Sequence, residues 1–106
     1  MRLLVFNVDS QCIHKDPSCD FDHIMAGTVN YLVAKFTFSD EWRDCIKVAR
    51  FWRGEKEYSA ILDSDCACVI PPEALVGATF RVSVIGQKKD YRITTNKIVV
   101  RQEVSR

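Results

Sequence analysis

The stretch Tyr31-Leu32-Val33-Ala34-Lys35-Phe36-Thr37-Phe38 places apolar residues at every second position. Successive side chains of a β-strand point to opposite faces, so the even-numbered side chains from Leu32 to Phe38 share one wholly apolar face. The opposite face mixes apolar and polar residues. This pattern predicts a strand with one side on a buried core and the other side in solvent.

Six more stretches, on either side of this one, show the same alternation or are rich in β-branched residues. The predicted strands, in chain order, are Leu3–Val8, Tyr31–Phe38, Cys45–Trp52, Glu57–Leu62, Cys66–Ile70, Thr79–Ile85 and Tyr91–Val104, the last being one strand or a strand pair. About seven strands separated by turns are the signature of a β-sandwich or a small barrel. We therefore expect one all-β domain over residues 1–106.

Several connections between the strands have recognisable turn chemistry. Ser39-Asp40-Glu41-Trp42 predicts a turn or a single helical turn capped by Ser39, and Pro72-Glu73-Ala74-Leu75 predicts another that begins with proline. The segment from Gly86 to Asp90 predicts a turn. Thr94-Thr95-Asn96 predicts a bulge or kink in the last strand, where side chains satisfy backbone groups.

Residues 9–29 are long for a connection in a compact domain, which predicts an arm or a long loop with a short strand near Gln11–His14. This segment and the strand edges are the expected docking surfaces. The side chains expected to contact partners are Asp16, Phe21 and His23 in this segment, and Arg50, Trp52 and Arg53 on the hairpin of the third and fourth strands.

Hydrophobic residues make up 47% of the chain, which is enough for a core that needs neither a metal nor a disulfide. Trp42 follows the second strand and is expected to seal one end of this core. The residues predicted to form the core are Phe36, Phe38, Trp42, Phe51, Ile70, Phe80, Val82 and Val84.

The charge pattern narrows the class of partner. Fifteen Lys and Arg residues and fourteen Asp and Glu residues give a net charge of +1, which disfavours nucleic acid as the partner. The apolar run at Met1–Val8 is broken by Asn7 and is too short for a signal peptide, and no window is long enough to span a membrane. We therefore expect a protein that is made in the cytoplasm.

The sequence shows no constellation for catalysis or for cofactor binding. The histidines are His14 and His23, and their spacing from Cys12 and Cys19 matches no usual zinc pattern. An odd count of five irregularly spaced cysteines argues against a disulfide framework and favours reduced thiols. We expect no enzyme activity, no metal and no cofactor; a metal-dependent module built on these Cys and His residues is the alternative.

Three motifs occur in a fixed order: Phe36-Thr37-Phe38-Ser39-Asp40-Glu41-Trp42, Cys68-Val69-Ile70-Pro71-Pro72-Glu73-Ala74-Leu75 and Ile93-Thr94-Thr95-Asn96. Over roughly residues 30 to 100, this set resembles a small domain of structural proteins from tailed phages and prophages of Gram-positive, often gut, bacteria. The resemblance implies an immunoglobulin-like β-sandwich that belongs to a tail, a baseplate, a fibre or a head decoration. It implies no catalytic residues.

On this resemblance, the expected partners are other virion proteins or further copies of the chain. The expected location is the virion, assembled in the host cytoplasm. Many relatives carry the module at the start of a longer tail or fibre protein, so a freestanding chain favours a small separate part such as a capsid decoration protein. The alternative function is a small protein of a mobile element that binds a host factor and inhibits or recruits it.

Overall fold

A computed structural model describes residues 1–104, and within them the chain forms nine strands and two short 3-10 turns. The strands are β1 (Arg2–Asp9), β2 (Cys12–Lys15), β3 (Leu32–Phe38), β4 (Ile46–Arg53), β5 (Lys56–Ile61), β6 (Ala67–Val69), β7 (Thr79–Lys88), β8 (Tyr91–Thr94) and β9 (Ile98–Arg101). The first 3-10 turn is Asp40–Trp42 and the second is Pro72–Leu75. The domain end predicted at residue 106 lies outside the described residues.

The strands form two sheets. The four-stranded sheet has the order β2-β1-β3-β6, in which β1 and β3 are parallel and the other pairs are antiparallel. The five-stranded sheet has the order β5-β4-β7, and the far side of β7 pairs with both β8 and β9. The expected all-β sandwich with short helical turns is therefore confirmed, with nine strands where about seven were predicted.

Alternate residues of both sheets meet in one buried cluster. The four-stranded sheet supplies Leu4, Phe6, Leu32, Ala34 and Phe36, and the five-stranded sheet supplies Ala49, Phe51, Phe80, Val82 and Val84. Of the predicted core residues, Phe38 alone stays half-buried, because it lies where β3 leaves the core. The Lys47 ammonium group lies over its ring, 5.3 Å from the centre.

Trp42 seals one end of the core, as predicted, and is fully buried. Its indole N–H donates to the carbonyl oxygen of Ser10 at 2.9 Å, and its ring packs on Phe38. Gly86 lies under the ring: a Cβ placed there would be 2.7 Å from an indole carbon. The absence of a side chain at Gly86 is therefore what lets the tryptophan lie flat on β7.

The predicted capping role of Ser39 is wrong, since its side chain makes no cap hydrogen bond to the 3-10 turn. The Ser39 hydroxyl instead accepts the backbone N–H of Ser10 at 2.9 Å and donates to Glu41 at 2.8 Å. The Ser10 hydroxyl donates to the same carboxylate at 2.7 Å, and these bonds lower the pKa of Glu41. These residues hold the 3-10 turn against the β1–β2 turn.

The predicted kink after Thr94 is confirmed, because β8 ends there and β9 begins at Ile98. Thr95 Oγ1 accepts the N–H of Val84, and Asn96 Oδ1 accepts the N–H of Ile13 at 2.9 Å. The Asn96 N–H donates in turn to the carbonyl of Gln11. The break in this edge strand therefore joins the five-stranded sheet to β2 of the other sheet.

Two other boundaries differ from the predictions. The segment predicted to turn from Gly86 continues as strand to Lys88, because it pairs with β4 on one side and β8 on the other. Cys66 was predicted to begin a strand that runs to Ile70. It lies instead in the turn before β6, with a φ of 58°.

The first part of residues 9–29 forms the end of β1 and the strand β2, and the rest is a loop packed on the domain. Ile24 is buried and Phe21 packs edge-on against Phe6. The Arg2 guanidinium donates to the carbonyl oxygens of Asp20, Asp22 and His23. Of the two predicted forms, an arm or a long loop, the structure has the loop.

Within residues 1–104, no helix is long and apolar enough to cross a membrane.

Candidate interaction surfaces

The outer face of the four-stranded sheet has an apolar end. Leu3 on β1 lies opposite Val33 on β3, and Val33 lies opposite Val69 on β6. Because the alternate residues of β1 and β3 point into the core, the side chains of this row point outward. Leu3 is 51% exposed and Val69 is 41% exposed. The residues that we call the apolar patch are Leu3, Val33 and Val69 with the exposed neighbours Met1 and Tyr31.

The same face becomes polar along the strands. Lys35 lies in the next row, and its ammonium group donates to the carbonyl of Asp65 at 3.2 Å. One row further, the Thr37 hydroxyl donates to Asn7 Oδ1 at 2.7 Å. Asn7 lies opposite His14 on the exposed edge strand β2. The apolar patch is thus confined to the end of the sheet where β1 begins.

The outer face of the five-stranded sheet also begins with an apolar row. Val48 on β4 lies opposite Ile61 on β5 and opposite Ile85 on β7. Ile61 is 71% exposed, and Ile46, one outward position before Val48, is 67% exposed. These β-branched side chains form an aliphatic band across the face; Arg92 lies in the row of Ile46, on one side of Val48, and Arg50 lies on the other side.

On both sides of this row the outer face of the five-stranded sheet carries cations, with Arg92 on one side and the others on the side of Arg50. Strand register places five cations and one carboxylate, that of Glu57, on this outer face. The cations, which we call the basic face, are Arg50, Arg81, Arg92, Lys97 and Arg101. Within the described residues, none of the five lies within 4.0 Å of a carboxylate oxygen. Arg81 bonds a backbone carbonyl instead, that of Gly54 at 2.6 Å.

Trp52 lies on the same side of the aliphatic row as Arg50, Arg81 and Lys97, and it is held by its neighbours. Its indole N–H donates to the hydroxyl of Ser83 at 3.2 Å, and Arg50 Nε donates to the same oxygen at 3.2 Å. Ser83 is itself fully buried beneath these two side chains. Lys97 Nζ lies 3.7 Å from the centre of the indole ring, a cation–π contact.

The residues predicted to contact partners do not form one site. Arg50 and Trp52 share the outer face, whereas Arg53 is an odd-numbered residue of the same strand, like buried Phe51, and points to the other side. The loop residues Asp16, Phe21 and His23 belong to a different part of the surface, beside the first strand. Sequence reasoning missed Arg81, Arg92, Lys97 and Arg101, because no local pattern indicates that β7, β8, β9 and the β8–β9 connection place them on the same face as Trp52.

Those loop residues have structural partners. Asp16 accepts the backbone N–H and the hydroxyl of Ser18, and these bonds lower the pKa of its carboxyl group. Phe21 covers Phe6, with the ammonium group of Lys15 over its ring. His23 Nδ1 lies 2.8 Å from a carboxylate oxygen of Glu103. All three help to hold the loop in place.

The Cys and His residues of the long connection are spread along β1. Cys12 lies opposite Asp9, whereas the Cys19 sulfur accepts the N–H of Val5 at 3.4 Å. Four residues of strand separate these points, or about 13 Å, whereas a metal needs its ligands within a few ångströms of one another. Among residues 1–104, no three Cys, His, Asp or Glu residues are grouped to hold a metal ion.

An open groove of about 590 Å³ lies between the end of β3, the first 3-10 turn and the turn before β6. Three cations line it, namely Lys35, Arg43 and Lys47. Each makes a bond within the protein: Lys35 and Lys47 donate to backbone carbonyls, and Arg43 donates to Asp40. The groove is thus lined by groups that already stabilise the end of the sandwich.

The chain is a small all-β sandwich whose two outer faces differ in chemistry, one with an apolar end and one basic around a tryptophan. A scan against protein-family models found no match for the chain, and a search of curated proteins found none either.

Proposed function

We propose that this chain is a non-enzymatic assembly module that acts through protein–protein contacts. The observation that supports this most is the apolar patch, where outward side chains of three neighbouring strands form one contiguous row with exposed Leu3 and Val69 on either side of half-buried Val33. Solvent-exposed apolar rows of this kind mark surfaces that another protein covers, because burying them removes apolar area from water. The partner proposed for this patch is another protein subunit with an apolar contact surface.

The setting that we propose is a phage or prophage virion, in the tail, the baseplate, a fibre or the head decoration. The ordered motif set supports this setting, since it resembles domains of such structural proteins. The motifs also explain the fold: the segment around Trp42 seals one end of the core, and the segment around Asn96 joins the two sheets. What they support is therefore kinship in fold, while the contact itself is proposed for residues of which Val69 alone lies within a motif.

The test is to produce virus or prophage particles with an altered patch and to quantify the chain in purified particles by mass spectrometry. The altered chain replaces Leu3 and Val69 by serine, and the matched control replaces the exposed Val76, which lies outside the patch, by serine. We expect the control to be retained in particles and the patch variant to be lost, while both fold with the wild-type melting temperature.

Absence of the wild-type chain from purified particles would contradict the virion setting. Affinity capture from host lysate then distinguishes the alternative, a mobile-element protein that binds a host factor. A host protein retained in stoichiometric amount, and released by the patch variant but not by the control, would assign that function. Retention of the patch variant at wild-type level in every complex would contradict the assembly role of the patch.

A further inference from the structure

The basic face has a net positive charge that the rest of the chain does not have. Five cations and one carboxylate give it a net charge of +4, whereas the whole chain has a net charge of +1. Like charges on one face repel each other, and most surface cations gain a little from a nearby carboxylate. Here no carboxylate oxygen of residues 1–104 lies within 4.0 Å of any of the five.

The centre of this face is also rigid. Ser83 is a buried hydroxyl on an outward-pointing position, and it fixes Arg50 and Trp52 by accepting a hydrogen bond from each. The Arg81 guanidinium is held by a carbonyl of the β4–β5 turn. Groups that are already ordered lose less conformational entropy on binding, so this arrangement favours recognition of a ligand.

From these contacts we infer that the basic face binds a carboxylate-bearing protein segment that also presents apolar side chains. We infer carboxylates on the partner from charge complementarity, because none of the five cations has a carboxylate partner within the described residues. The apolar side chains match the aliphatic row of Val48, Ile61 and Ile85, which borders the cations on the same face. Tryptophan and arginine are the residue types that contribute most at protein interfaces.

The same observations favour a protein over a nucleic acid. A nucleobase stacks on an open aromatic face, whereas the Trp52 ring is already covered by Lys97 at 3.7 Å and has Arg50 at 5.3 Å. Phosphates gain nothing from exposed isoleucine side chains. The near-neutral chain also lacks the overall basic excess that domains binding nucleic acid carry.

This inference rests on the proposed function, because it gives the chemistry of a second protein partner. The apolar patch and the basic face are the outer surfaces of opposite sheets, so one chain can contact both partners at once. The two contacts should differ in salt dependence, because only the second one depends on charge.

The test uses the full chain and follows the fluorescence of Trp52, since Trp42 is buried and serves as a constant background. The probe is a synthetic peptide that repeats glutamate and leucine, compared with the same peptide in which glutamine replaces glutamate, and with oligothymidylate of equal charge. We expect the glutamate peptide to bind most tightly and to weaken steeply between about 50 and about 200 mM salt, and the glutamine peptide not to bind.

The decisive variant combines Arg92→Glu and Arg101→Glu, both exposed and on the face. The matched control combines Arg53→Glu and Lys56→Glu, which make the same charge change on the other side of their strands. We expect the face variant to weaken peptide binding by about tenfold or more, equivalent to about 1.4 kcal/mol, and the control to change it about twofold or less. Lys97→Glu provides an independent single variant with the same expected direction.

Equal weakening by the two double variants would overturn the inference, because attraction would then depend on net charge alone. Tighter binding of oligothymidylate than of the glutamate peptide would overturn it in favour of nucleic acid. The failure of the assembly proposal is distinguishable: it is measured with the Leu3 and Val69 variant, which leaves the basic face unchanged.

Discussion

The closed end of the sandwich and its outer faces use their residues differently. Around Trp42 and Asn96, side-chain and backbone groups bond other parts of the chain, so these residues determine the fold. On the outer faces, Leu3 and Ile61 are exposed, and the cations around Trp52 are exposed or half-buried without a carboxylate partner in the described residues. The difference teaches that the recognisable motifs account for the fold, whereas the surfaces available to partners lie outside the motifs except at Val69.

The largest expected effect tests the closed end. Trp42→Ala removes a fully buried indole and should lower the free energy of unfolding by about 3–5 kcal/mol. Gly86→Ala places a Cβ against the same ring and should cost about 1–3 kcal/mol. Denaturant unfolding of both single variants and the double variant measures this coupling, because without the ring the alanine at 86 keeps only the milder contact of 3.1 Å with Ile93 Cγ2.

The matched control is Gly77→Ala, where a Cβ has room and the change should be within about 0.5 kcal/mol. Additive costs for Trp42→Ala and Gly86→Ala would show that close approach of the ring is not the reason for a glycine at position 86.

A smaller effect is expected where the two sheets are joined at their edge. Asn96→Ala removes the acceptor of the Ile13 N–H and should cost about 1 kcal/mol, since this pair lies near solvent and water can replace the lost partner. Hydrogen exchange of the Ile13 amide should become faster in the variant. Asn96→Asp keeps an acceptor at the same position and should preserve most of the protection; equal loss in both variants would contradict this role.

The thiol of Cys68 should make the stability of the folded chain depend on pH. Burial, and then the nearby Asp63 carboxylate, raise the pKa of this thiol from 9.0 to about 12. Above about pH 9 the unfolded chain releases the proton while the folded chain keeps it, so stability should fall as the pH rises from 9.0 towards 12. Urea unfolding across this range measures the loss.

Cys68→Ala should flatten that part of the stability profile, and Cys12→Ala serves as the control because Cys12 is exposed. In the folded protein, a thiol reagent should modify Cys12 well before Cys68 at about pH 8. Rapid labelling of Cys68 would show that it is less buried than the structure indicates.

The smallest effect on stability is expected at the apolar patch. Replacing Leu3 and Val69 by serine should change the free energy of unfolding by no more than about 0.5 kcal/mol at each site, because both side chains are exposed. Thermal unfolding checks this expectation. A cost of about 2 kcal/mol or more at either site would place these side chains in the core and remove the contrast with the closed end.

Much of the fold was predictable because each strand has a local pattern. Alternation around Phe36 and Val82 identified inward positions, and proline at Pro72 marked the second 3-10 turn at the residues where it occurs. The Ser39 prediction was wrong because a preference for caps says nothing of a competing partner, here Ser10, which is remote in sequence.

The candidate surfaces were harder to predict from the sequence than the fold was. Arg50 and Trp52 were expected to contact partners, but Arg81 and Lys97 join them only through the pairing of β4 with β7 and through the β8–β9 break. Register decides such neighbours, and no local pattern of a single sequence fixes register between distant strands. Arg53 illustrates the same point, since its position one residue after Trp52 puts it on the other side of the sheet.

The break between β8 and β9 limits how the borders of neighbouring copies can pair with each other. Neither piece is longer than four residues, so that border of the sheet offers no long row of free amides to a neighbouring molecule. The longest border strand in the described chain is β5, where Lys56 and Glu57 oppose fibril-like stacking of copies. Many copies held at high local density should therefore remain distinct folded units and not merge into a continuous sheet.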